Sequence, residues 1–144
     1  MNACLDFKRL SSVDTPMRNA WEGIAFERVC MWHQDVIKAA LGIAGVSAEI
    51  SSWRSARKSP GTQIDMLIDR RDGVINLCEM KYTNAPYTIT EEEDEKIRNR
   101  REAFIRETGT EKTVLLTMIT SFGLTPGGYA DDIHCQLTMT DLFR

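Results

Sequence analysis

The sequence predicts an α/β protein built on a mixed β-sheet with helices on both faces. Three observations carry this. Two short apolar runs, Ile64–Ile68 and Val74–Cys78, place Ile, Val, Leu and Met at positions of both parities, as in central strands covered on two sides. Longer stretches before and after them repeat apolar residues at helical spacing. The elements follow one another in the order α, β, β, β, α, β, β, which gives a mixed sheet with helices on its faces.

Taken in order, residues 1–13 carry little pattern and read as an arm or the remnant of a linker, leaving 14–144 as one domain. Thr15 followed by Pro16 is a helix start, a capping hydroxyl with proline in the first turn. Phe26, Val29, Cys30, His33, Val36, Ile37, Ala40 and Leu41 then form one apolar stripe of a single helix ending near Gly42 or Gly45. His33 reads as a core histidine within that stripe. Val46–Trp53 alternates as a first strand. The basic stretch Arg54-Ser55-Ala56-Arg57-Lys58-Ser59-Pro60-Gly61 connects it to the second.

Arg70-Arg71-Asp72-Gly73 is turn chemistry between the two apolar strands. A three-residue loop Arg71-Asp72-Gly73, with Gly73 left-handed, sets Arg70 opposite Val74. Asp65 then lies across from Glu79 on one face, and Lys81 follows two residues on. A two-residue turn moves Asp65 to the other face. Tyr82–Ile89, with Pro86, reads as a lid or substrate-side loop. Thr90-Glu91-Glu92-Glu93 is a capping box whose acids suit a helix N-terminus, so these acids have a structural explanation. That helix runs to Thr108-Gly109, with Ile97, Arg101, Phe104 and Ile105 on one face and Arg98, Arg100, Arg101 and Arg106 making its second half basic. Lys112–Thr120 is a β-branched buried strand, Ile133–Thr138 an edge strand, and Asp141-Leu142-Phe143 a terminal turn.

Asp65, Glu79 and Lys81 are the functional clue, because charged residues on buried strands pair with one another or hold a metal. Two carboxylates at cross-strand distance repel unless a cation lies between them, and hard divalent cations prefer such oxygens. A buried ion-pair network without chemistry is the competing reading, although desolvation makes one costly.

These residues resemble a known family. Gly61-x-Gln63-Ile64-Asp65, a hairpin, Glu79-Met80-Lys81 and the upstream Gly23-x-x-Phe26-Glu27 look like the signature of the PD-(D/E)XK nuclease superfamily. More narrowly, Met17 to Phe143 resembles the nuclease-like domain at the C-terminal end of bacterial AAA-type ATPases. The phosphate-binding loop of the ATPase part has no counterpart here. The resemblance implies a restriction-endonuclease-like core and a phosphodiesterase assisted by Mg²⁺ or Mn²⁺. Asp65, Glu79, the Met80 carbonyl and Glu27 would hold the metal. Lys81 would orient or deprotonate the attacking water, and Gln63 would position the same elements. Glu27 is otherwise a flank residue at the stripe's edge, with Glu22 the weaker alternative. Arg54, Arg57 and Lys58 read either as phosphate-backbone contacts or as a solvated connection.

Composition bounds the rest. The chain carries a net charge of −3, against tight unaided nucleic-acid binding over the whole surface, although bases concentrate at Arg54–Lys58 and Arg98–Arg106. Cys4, Cys30, Cys78 and Cys135 are scattered without zinc or CxxC spacing, which disfavours a zinc or redox protein and suits reduced thiols. No apolar run reaches the roughly 20 residues of a membrane span. Asp6, Lys8 and Arg9 interrupt any signal-peptide core, so a cytoplasmic protein is expected. The expected partner is nucleic acid, DNA more than RNA, with oligomeric state open and a dimer included. The second functional reading is a regulatory module that docks on an ATPase domain or partner protein through the sheet edge and the Arg-rich helix.

Overall fold

The computed structural model describes residues 15–57 and 62–143. Helices α1 (Thr15–Trp32) and α2 (Gln34–Ala40) precede strands β1 (Ala48–Arg54), β2 (Gln63–Arg70) and β3 (Val74–Lys81). Helix α3 (Glu91–Thr108), strand β4 (Thr113–Thr120), a 3₁₀ turn (Gly128–Asp132), strand β5 (Cys135–Thr138) and helix α4 (Met139–Leu142) follow. The five strands form one mixed sheet in the order β1-β2-β3-β4-β5. β1, β2 and β3 are antiparallel neighbours, whereas β4 and β5 each join in parallel. The parallel step from β3 to β4 needs a crossover, and α3 supplies it.

Both sheet faces are covered, as the two-parity apolar runs require. On one side Phe26, Cys30 and Ile37 pack with Met66, Ile68, Cys78, Met80 and Ile119. On the other, Ile97 and Phe104 of α3 pack with Leu67, Ile75, Leu77, Val114 and Met118. Each fully buried Ile, Leu or Met contributes about 1.5–3 kcal/mol from burial alone. Cys30 and Cys78 are buried free thiols on the first side. Burial pushes the Cys30 thiol up to about 12, with the Glu27 charge adding to it, so it is unreactive.

The hairpin has the expected register. Met66 faces Cys78, Leu67 faces Leu77 and Asp69 faces Ile75, and Gly73 takes φ 86. A side chain there would strain the backbone, so Gly73→Ala is expected to destabilise by about 1 kcal/mol, read as a lower midpoint in urea unfolding. Helix α3 begins as expected, with the Thr90 side chain accepting from the Glu93 N–H at 3.2 Å, and it ends at left-handed Gly109.

Three expectations need correction. The first helix is not continuous: it breaks at His33, whose N–H is shared between the carbonyls of Val29 and Cys30 at 3.1 and 3.2 Å. Ile37 of α2 is fully buried beyond the break. His33 is correspondingly exposed, its ring edge-on to Phe143 at 5.5 Å, and is not a core residue. Second, the first strand begins at Ala48, because Gly42 to Ser47 complete the turn out of α2. Third, the loop after Lys81 is no free lid. The Thr83 N–H donates to Ser121 Oγ at 2.8 Å. The Tyr87 N–H donates to the Gly123 carbonyl, and Thr125 N–H to the Tyr87 carbonyl, at 2.8 and 2.9 Å. The arm at residues 1–13 and the loop residue Lys58 lie outside the described residues.

Candidate functional site

Asp65 enters near the start of β2, and Glu79 and Lys81 near the end of β3. Antiparallel pairing brings all three to one end of the sheet. The N-terminus of α3 and the middle of α1 reach the same end. Here the sequence reading of buried charges is overturned. Asp65 is exposed, while Glu79 and Lys81 are half-buried. Their strand neighbours Ile64, Met66 and Met80 are buried, so the exposure is confined to the charged side chains themselves.

A second feature was not legible in the sequence. The β1–β2 register shifts between Ser51 and Trp53. Ile64 and Leu67 pack on the α3 side of the sheet while Met66 packs on the α1 side. Strict alternation therefore breaks at Asp65-Met66, as a β-bulge requires, and such bulges re-aim a side chain beside functional sites. The Gln63 side-chain amide donates to Asp65 Oδ1 at 2.8 Å. Arg54 Nη2 in turn donates to Gln63 Oε1 at 2.8 Å. Arg54 thus reaches Asp65 through Gln63.

Glu79 is held by cations. Arg100 Nη1 donates to its Oε1 at 2.9 Å, and Lys81 Nζ lies 3.8 Å from the same oxygen. Lys81 Nζ is also 3.4 Å from Glu93 Oε2 and 6.0 Å from the Tyr87 ring centroid. Arg100, Glu93 and Tyr87 are the site residues that sequence reasoning missed. Glu93 was explained as a capping residue, yet it pairs with Lys81. The signal that could have found two of them is spacing. Glu93, Ile97, Arg100 and Phe104 fall within about 60° of one another on the helix, so both charges ride the stripe that faces the sheet.

Glu27 joins from α1. Its carboxyl is held above the usual range, first by burial, then by the charges of Asp65 and Glu79, with Lys81 opposing. The three carboxylates therefore share one electrostatic environment. Because a raised carboxyl is stable when protonated and costly when charged, Glu27 detracts from stability as pH rises through its folded pKa. Glu27→Gln is expected to raise the melting temperature at pH 8, with the gain disappearing by pH 4, in thermal scans across pH. Glu22, the weaker alternative, pairs with Arg18 at 3.0 Å on α1 and is buried. Burial also raises the Tyr87 hydroxyl, with Glu93 and Glu79 adding to it.

The donor set fits a hard divalent cation in kind, since two strands and one helix offer carboxylate oxygens and no imidazole. Among the described residues, no group of three or more His, Cys, Asp and Glu side chains is already gathered to hold a metal. Arg100 and Lys81 take the Glu79 oxygen in their place. Of the basic loop, Arg54 belongs to the site through Gln63. Arg57 lines a cleft of about 190 Å³ with Ser55, Thr62, Asn99 and Arg106, between the β1–β2 connection and α3. The other arginines of α3 are engaged: Arg98 with Asp94 at 2.8 Å, and Arg101 with the Val114 carbonyl at 3.0 Å.

No family model matches the chain, and no curated protein does. Among solved structures it is similar to AF1548, a protein of unknown function, at 16% identity and a TM-score of 0.49 over 74% of this chain. The chain spans 56% of that protein's length. No helix among the described residues is long and apolar enough to cross a membrane.

Proposed function

We propose that the chain is a metal-dependent phosphodiesterase acting on nucleic acid, DNA before RNA, and that it works with a bacterial ATPase system. One observation carries the reading. The Met66–Cys78 pair is flanked by Asp65 on one strand and Glu79 on the other, with Lys81 beside Glu79 at one end of the sheet. Asp65, Glu79, the Met80 carbonyl and Glu27 would hold Mg²⁺ or Mn²⁺. That ion supplies Lewis acidity towards the scissile phosphate and an acidified water when bound. Lys81 would offset charge developing on the phosphate as the ammonium, or, after giving up its own proton, would take one from the attacking water. Gln63, fixed by Arg54, orients the Asp65 carboxylate. Arg57 and Arg106, at the cleft beside the site, supply backbone-phosphate contacts that do not depend on sequence.

The test is a calorimetric titration with Mn²⁺. Wild type is expected to bind, and Asp65→Ala and Glu79→Ala to lose binding while remaining folded. Arg100→Gln removes a cation from Glu79 and is expected to tighten Mn²⁺ about tenfold. A folded wild type that binds nothing at millimolar metal would refute the independent phosphodiesterase. A second reading then takes over: Arg100 and Lys81 permanently neutralise Glu79, and the chain is an idle module that docks on an ATPase or another protein. Under that reading Arg100→Gln changes stability but creates no metal site.

A further inference from the structure

Helix α1 buries Phe26 and Cys30 against the sheet and turns a second apolar stripe outward. Met17, Trp21, Ile24 and Trp32 are 68%, 62%, 55% and 77% exposed. At 100° per residue they fall in a sector about 80° wide, opposite the buried side. Arg28 lies in the same sector, exposed and with no ion-pair partner among the described residues. The exposed parts of the two tryptophans alone amount to about 350 Å². With Met17 and Ile24 the stripe approaches the ~600 Å² upper end of the largest patch on an ordinary monomer, where such patches mark interaction sites.

The order of residues along the stripe indicates what covers it. Run antiparallel to a copy of itself about a point between Ile24 and Ala25, the stripe sets Met17 against Trp32 and Trp21 against Arg28. The first pair is a thioether on an aromatic ring, the second a cation on an indole face, and each occurs twice. Such reciprocity is what a two-fold interface demands. A parallel pairing would instead oppose Arg28 to Arg28. Two stripes together bury about 1,100 Å², just above the ~1,000 Å² that a specific interface needs. We propose that α1 is a homodimer interface, with the α1 helices of two copies packed antiparallel about a two-fold axis near Ile24. Glu27 lies about 100° round the helix from the stripe's centre, so the candidate site stays open in the pair. This inference does not rest on the phosphodiesterase reading.

Sedimentation velocity of the whole chain, from about 1 to about 100 µM, reads the mass directly. It is expected to double with rising concentration. Trp21→Glu with Trp32→Glu is expected to leave a monomer at every concentration, with the melting temperature of the dilute wild-type monomer because both side chains are exposed. Ile24→Cys is expected to give a disulfide-linked dimer under mild oxidation, above the background of the unmodified chain. Met17→Cys is expected not to, since the two copies of that position lie about 22 Å apart in the antiparallel pair. A wild type monomeric throughout, a dimer that survives the double substitution, or a cross-link at Met17→Cys in place of Ile24→Cys would each overturn the proposal.

Discussion

Asp65→Asn is expected to lower phosphodiester hydrolysis at least about a thousandfold while leaving unfolding free energy within about 0.5 kcal/mol of wild type. The side chain is exposed, so the substitution opens no cavity and strands no buried partner. Asparagine keeps an oxygen for the Gln63 amide, which lies 2.8 Å from Asp65 Oδ1, and so preserves the Arg54–Gln63 chain that orients position 65. What is removed is the negative charge that attracts a hard cation and repels Glu27 and Glu79. Loss of turnover with retained fold therefore measures the charge and nothing else. The assay is Mn²⁺-supported cleavage of a single- or double-stranded DNA panel beside urea unfolding. Turnover within tenfold of wild type would remove Asp65 from the chemistry.

Lys81→Met is expected to lower kcat by about a hundredfold to a thousandfold, with a smaller change in KM. Its ammonium faces Glu79 at 3.8 Å and Glu93 at 3.4 Å, and the side chain is 30% exposed. Solvent reaches these contacts, so their loss costs about 1 kcal/mol or less. A merely structural lysine would be replaced adequately by arginine, which keeps the charge and both ion pairs. A lysine that handles the proton of the attacking water would not, because guanidinium does not give up its proton. Lys81→Arg is accordingly expected to retain the wild-type melting temperature and to remain at least about tenfold slow. Restoration of full turnover by arginine would assign Lys81 to charge balance alone.

Much of the scaffold was legible because it depends on local chemistry. Gly73 and the turn residues before it set the hairpin register from Met66 opposite Cys78 to Asp69 opposite Ile75, since a one-residue slip would turn every buried side chain of β2 to the other face. Thr90 and Gly109 bounded α3 for the same reason: a hydroxyl meets an unpaired N–H at one end, and a residue without Cβ turns left-handed at the other. The two-parity apolar runs required helices on both sides of the sheet, and α1 and α3 are there.

What tertiary structure alone decided is how the charges are shared at one end of that sheet. The bulge at Asp65-Met66 belongs to the pairing with β1, and the β2 residues by themselves carry no sign of it. Ile37 is buried where the stripe placed it, whereas the break at His33, with its N–H shared between two carbonyls, has no sign in the periodicity. Glu93 has good local reasons to cap a helix, and Arg100 to be solvated. Only the crossover that lays α3 over β3 and β4 brings Glu93 to Lys81 and Arg100 to Glu79. Sequence determined which strands align and which residue types meet at their ends. The packing of α3 and the pairing of β1 determined which carboxylates are held by cations and which one faces water, because Coulomb energies depend on distances that no single element contains.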